Sequence, residues 1–210
     1  MLKQFVKSVG DSQHYILLTF GNTFSEKLKT QIVNLTCKIS NELNLKVLIL
    51  AGTIEWKDKL SLLVNGQSNI QIKRWMAYDK AYSGASLCIG HGGTSHIWYG
   101  MKYGVPLIAI PEIGDQIYGA MQIERLKIGK FLRPQKQRIM SKLTRKTQVI
   151  KSSEFEKAVK YLITDNEVKR RATFIKNEIN LGGAQAGAEL VHRLIRSRKP
   201  ITRCLKKCCC

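Results

Sequence analysis

Short apolar runs, each followed by a turn or a helix-forming stretch, constrain the fold of this chain more than any other feature of it. Tyr15-Ile16-Leu17-Leu18-Thr19-Phe20 shows no apolar–polar alternation, so it fits a strand covered on both faces. Lys46 to Ala51, Ile70 to Lys73, Leu87 to Ile89 and Leu107 to Ile110 are further strand candidates. Between the first two, Leu28, Ile32, Leu35, Ile39 and Leu43 recur at i+3 and i+4 steps, the mark of one helix face. Asp115 to Leu126 is helical as well. Strands alternating with helices predict an α/β fold: a single Rossmann-like domain with one parallel sheet flanked by helices on both faces.

Local signals place the expected boundaries. Thr23 and Glu26 have capping-box spacing, and so do Ser153 and Glu156, which open a helix to Ile163. Asp165 is expected to cap a helix running through Asn180, which Gly182-Gly183 breaks before a last helix from Ala184 to Arg196. The domain is therefore expected over residues 14–196. Residues 1–13 read as a tail or linker, 134–152 as a basic loop or insertion, and 197–210 as a basic, Cys-rich disordered tail.

One turn stands out. Gly90-His91-Gly92-Gly93-Thr94-Ser95 follows the fourth apolar run and precedes a helical stretch to Tyr103. Glycines there let the backbone come close to a ligand, and Thr94 or Ser95 is expected to cap the helix. A helix N-terminus opened by glycines presents unpaired N–H groups and a partial positive charge, which suits phosphate. Any α/β protein has Gly-rich turns, so this one is informative only with its surroundings.

Charge and cysteine narrow the function classes. The chain carries 35 Lys/Arg against 15 Asp/Glu, a net charge of +20. Residues 1–126 hold 13 basic and 9 acidic side chains, whereas residues 127–210 hold 22 and 6. The excess belongs to the C-terminal part, where an anionic membrane surface as partner and a merely solvated helical face both stay open. Nucleic acid is disfavoured, because Phe155, Tyr161 and Phe174 read as helix core and not as stacking aromatics. Cys37 and Cys88 sit singly in apolar contexts, as reduced core residues do. No CxxC pair has a second pair or spaced histidines, so no metal site is expected. Lys207 occupies the position a farnesylation box needs for Cys, but Cys208, Cys209 and Cys210 beside basic residues are lipidation candidates, set against an unselected tail of reactive thiols. Met1 to Gly10 lacks an apolar signal core, and no run reaches the ~20 apolar residues of a membrane span. The expected location is cytoplasmic, with peripheral membrane attachment as the open alternative.

Taken together, these residues resemble the C-terminal, donor-binding domain of GT-B fold glycosyltransferases of the UDP-glycosyltransferase superfamily. The resemblance covers residues 14–196 and rests on spacing. Trp75 precedes His91 by sixteen positions, and Asp115-Gln116 follow it by twenty-four. Gly104-Val105-Pro106 and Pro111 fall where the family has them, and Gly182-Gly183 with Ala184, Ala186 and Ala188 resembles its closing helix. The resemblance implies a nucleotide-diphosphate sugar as donor substrate, UDP-hexose by default, and no cofactor. Trp75 would stack on the base, with a core aromatic as its other reading. His91, Gly92 and Gly93 would meet the diphosphate, and Thr94, Ser95, His96 and Gly21-Asn22 would belong to the same nucleotide-sugar site. Asp115 and Gln116 would hold hydroxyls of the donor sugar.

The chain also departs from the family. His96 stands where a phosphate-bonding Ser or Thr is usual, and Tyr99 where most members have a Glu that grips the ribose. Ala77-Tyr78 replaces a common Pro-Gln pair. Family members place the acceptor and the catalytic base in an N-terminal domain, for which this chain offers no counterpart. Neither His14 nor His192 matches that base. A fragment, one subunit of a two-chain enzyme, a nucleotide-sugar-binding module without turnover, and a basic membrane or nucleic-acid adaptor are the readings that follow.

Overall fold

The computed structural model describes residues 15–21, 24–137, 147–179, 183, 188–189 and 191–192. The chain divides into two compact units, Met1–Lys176 and Asn177–Cys210. The described elements are β1 (Tyr15–Thr19), α1 (Glu26–Glu42), β2 (Lys46–Leu50), α2 (Ile54–Leu63), β3 (Ile70–Lys73), α3 (Tyr78–Ser83) and β4 (Ala85–Gly90). They continue with α4 (Thr94–Tyr103), β5 (Leu107–Ala109), α5 (Gly114–Arg125), β6 (Gly129–Phe131), β7 (Gln135–Gln137), β8 (Thr147–Val149), α6 (Ser152–Thr164) and α7 (Asn166–Ile179).

Strands β1 to β6 form one parallel sheet in the order β3-β2-β1-β4-β5-β6. The lack of polar alternation in β1 now has its reason. Ile16 and Leu18 face a core layer that includes Leu28, Ile32 and Ile39 of α1, Leu60 of α2, and Phe155, Val159 and Leu162 of α6. Tyr15 and Leu17 face the opposite layer, with Tyr82 of α3, Ala120 and Ile123 of α5, and Ala172 of α7. Both faces of the strand are therefore dry. Full burial of each Leu or Ile stabilises the fold by about 1.5–3 kcal/mol. Cys37 and Cys88 are buried free thiols, and burial raises them to about 11 and about 12, so both are inert.

Three expectations change. β6 has no apolar signature; it becomes a strand because it pairs with β5, in register Leu107 with Gly129. The basic stretch expected as a loop or insertion contains an antiparallel ladder, Gln135–Gln137 on Thr147–Val149. The caps also differ. Ser25, not Thr23, is the N-cap of α1, and Lys151, not Ser153, is that of α6; neither side chain bonds the helix. The cap on α7 is as expected, since Asp165 Oδ1 accepts the Val168 N–H at 2.9 Å.

Candidate functional site

A sheet of this order changes direction between β1 and β4. From β1 the chain crosses over towards β2, and from β4 towards β5, so the loops leaving these two strands part and open a crevice. Gly21 follows β1 and His91-Gly92-Gly93 follows β4. Pro111 to Ile113 follow β5, and Arg74-Trp75 follow β3. Nearly all the residues singled out in the sequence thus lie at the C-terminal edge of one sheet.

His91 is the centre of the arrangement. A Cβ added at Gly21 would lie 2.8 Å from His91 Nε2, and one at Gly93 would collide with the same nitrogen. The ring therefore occupies a slot that two glycines leave open. Phe24 packs edge-on against it with centroids 6.0 Å apart, and His96 stacks on it at 6.2 Å. Burial pulls the His91 imidazole below its ordinary range, with the Asp115 carboxylate opposing the shift. The ring is consequently mostly neutral at pH 7, and its buried Nδ1 has no hydrogen-bond partner among the described residues.

The turn itself depends on Gly92, whose φ of 80° is in the left-handed region. Its N–H donates to His96 Nδ1 at 3.1 Å. Nδ1 is therefore the unprotonated nitrogen of His96, while Nε2 lies toward the Cys88 backbone without reaching hydrogen-bond geometry. His96 is only 2% exposed, so the expectation that it meets the donor is corrected: it braces the turn from within the core. Burial, reinforced by His91, lowers its pKa to about 3.

Gly93 is the N-cap of α4, and no side chain caps that helix. Thr94 and Ser95, expected as caps, are its exposed first residues instead. The α4 N-terminus keeps the anion-binding character that its first turn of N–H groups confers. Asp115 is exposed in the first turn of α5, behind the N-cap Ile113. Gln116 is 3% exposed, and its Oε1 accepts the N–H groups of Glu112 at 3.0 Å and Ile113 at 3.4 Å. Its carbonyl oxygen is thereby committed to shaping the loop, and Asp115 alone of the pair stands open.

Trp75 is 72% exposed just past the end of β3, which excludes the core-aromatic reading. Tyr99 packs into an aromatic cluster with Tyr78 and Tyr82, at 5.1 and 5.6 Å between centroids. Asn22, Cys208, Cys209 and Cys210 lie outside the described residues. Sequence reasoning missed Phe24 and Glu112, which have no motif spacing of their own. The Glu112 carboxylate accepts the Ser25 N–H at 3.0 Å, across 87 positions of sequence. Among the described residues no three His, Cys, Asp or Glu side chains are grouped to hold a metal ion, and no helix is long and apolar enough to cross a membrane.

The model of the glycosyltransferase family 28 C-terminal domain matches residues 15–172. UDP-glucuronosyltransferase 3A2 of Homo sapiens is 26% identical over 165 residues, covering 75% of this chain and 29% of the relative. NDP-glycosyltransferase YjiC of Bacillus subtilis is 27% identical over 135 residues, covering 63% and 31%. Among solved structures, the calicheamicin glycosyltransferase CalG4 superposes with a TM-score of 0.69 at 20% identity, over 90% of this chain and 45% of that one. Glycosyltransferase VinC in complex with dTDP gives 0.66 at 17% identity, over 89% and 42%. The chain thus spans under a third of these curated relatives and under half of these solved chains.

Proposed function

Since the chain belongs to the glycosyltransferase family 28 C-terminal domains, we propose that its crevice seats a nucleotide-diphosphate sugar, UDP-hexose by default, for inverting transfer to a hydroxyl of a small or lipophilic acceptor. The observation that carries this reading is the slot of His91, held between two glycine turns beside the uncapped start of α4. N–H groups at that helix start supply donors and partial positive charge to a diphosphate. The neutral His91 ring keeps one N–H, and a phosphate beside it would favour the protonated form. Trp75 offers its exposed face to the base, as aromatic platforms do. Asp115 accepts from donor hydroxyls, while Gln116 holds the loop that presents it. No cofactor takes part in this scheme.

The acceptor site and the general base would come from an N-terminal domain or a partner chain. In support, this chain covers only 45% of CalG4 and 42% of VinC. VinC was solved with dTDP and human UDP-glucuronosyltransferase 3A2 is named for its UDP-sugar, so both bases and a glucuronosyl donor belong in the test. Calorimetric titration with UDP, UDP-glucose, UDP-N-acetylglucosamine, UDP-glucuronate and dTDP should give heat for at least one of them. Silence from all five would sink the donor site. Sugar release with a candidate N-terminal partner then separates a transferase subunit from a binding module without turnover.

A further inference from the structure

We propose that Glu112 is a positioning residue of the donor site, which holds the start of α1 against the loop after β5 and so keeps His91 in its slot. Its effect on binding rests on the donor-site reading above; its effect on the imidazole does not.

Helix α1 begins without a cap of its own, since the Ser25 side chain makes no bond to the helix. Glu112 supplies a substitute from the far side of β4, accepting the Ser25 N–H at 3.0 Å. A carboxylate at that position also meets the positive end of the helix. The backbone from which it reaches is itself fixed, because the Glu112 N–H is bonded to buried Gln116. Lys29, one turn into α1, is attracted to both Glu112 and Glu26, which adds a second electrostatic link across the same gap. Immediately before Ser25, Phe24 packs edge-on against His91, and Gly21 lines the same ring. One carboxylate therefore ties the loop after β1 to the loop after β5, with the turn after β4 between them. If the tie is cut, Phe24 is free to withdraw and the ring gains solvent.

The test compares E112A and E112Q with the unaltered full-length chain, following the His91 ring protons by NMR across pH and UDP affinity by calorimetry. The groups acting on His91 are Asp115, which favours its charged form, and His96, whose ring stacks on it. Removing the Glu112 charge alone would lower the His91 pKa, whereas loss of burial would raise it. In E112A the pKa should therefore rise toward the ordinary value, and UDP affinity should fall roughly tenfold, the scale of one charge-assisted hydrogen bond. Uridine, without phosphates, should lose less. E112Q still accepts the Ser25 N–H, so it should show neither the rise nor the full loss. If E112A fails to fold, E112D, one methylene too short, carries the same expectation. An unchanged or lowered His91 pKa in E112A or E112D, or the same rise in E112Q, overturns the proposal. If the unaltered chain binds none of the five nucleotides, the donor-site reading fails and the pH titration of His91 alone decides the role of Glu112.

Discussion

Lowering the pH from 7.5 to 5 should destabilise this fold through one buried ring. His96 is 2% exposed, and its Nδ1 accepts the Gly92 N–H at 3.1 Å. A proton on Nδ1 would face that donor, and a charge there would be out of water. Its pKa is accordingly about 3 in the native state, from an ordinary 6.5. Between those values the unfolded chain binds a proton that the native chain refuses, so stability falls as pH falls through that window. From pH 6.5 to pH 5 the loss amounts to about 2 kcal/mol, at 1.36 kcal/mol per unit. His91, lowered by burial, acts in the same direction. The carboxylates Glu26, Asp79 and Glu156 are held below their ordinary values by lysine partners, so their contribution is lost only at still lower pH. Urea unfolding at pH 7.5 and pH 5, with wild type beside His96→Gln, isolates the ring. Gln can accept the same N–H but does not titrate, so the variant should be less stable at pH 7.5 and lose about 2 kcal/mol less on acidification. Equal pH dependence in the two proteins, or a His96 resonance titrating near 6.5, would refute this account.

Other perturbations separate site from scaffold. Trp75→Ala should leave stability within about 0.5 kcal/mol, because the indole is exposed, yet weaken UDP binding by about 1–3 kcal/mol if the ring stacks on the base; a calorimetric Kd equal to wild type would count against stacking. Gly92→Ala combines a left-handed φ with a Cβ only 2.9 Å from the Gln116 carbonyl oxygen, so thermal and urea unfolding should report a loss of about 2–4 kcal/mol. At Gly21 the added Cβ meets the His91 ring instead of backbone, so Gly21→Ala should shift the His91 NMR signals and reduce UDP affinity with little change in unfolding midpoint; a large stability loss with normal affinity would contradict it.

Much of this molecule was legible along the chain, because periodicity is a local property. Five short runs announced strands β1 to β5, and the apolar character of β1, β2, β4 and β5 without alternation announced helices on either side. Asp165 could be read as a cap because its bond spans three residues. The glycines of the His91 turn suggested a phosphate seat for the same reason, and the family resemblance added Trp75 and Asp115 to that candidate site. What sequence could not show depends on partners remote along the chain. β6 is a strand only because β5 lies beside it, and the inward turn of His96 follows from the buried space behind Gly92. Gln116 was expected to face a sugar; in the folded chain its carbonyl oxygen serves the backbone of its own loop. Glu112 carries no signal at all until folding brings Ser25 within 3.0 Å of it. Residue order specified the elements and the chemistry available at the crevice, because both depend on near neighbours. Tertiary packing decided which side chains face the ligand and which hold the others in place, because burial and hydrogen bonding are settled only when distant segments meet.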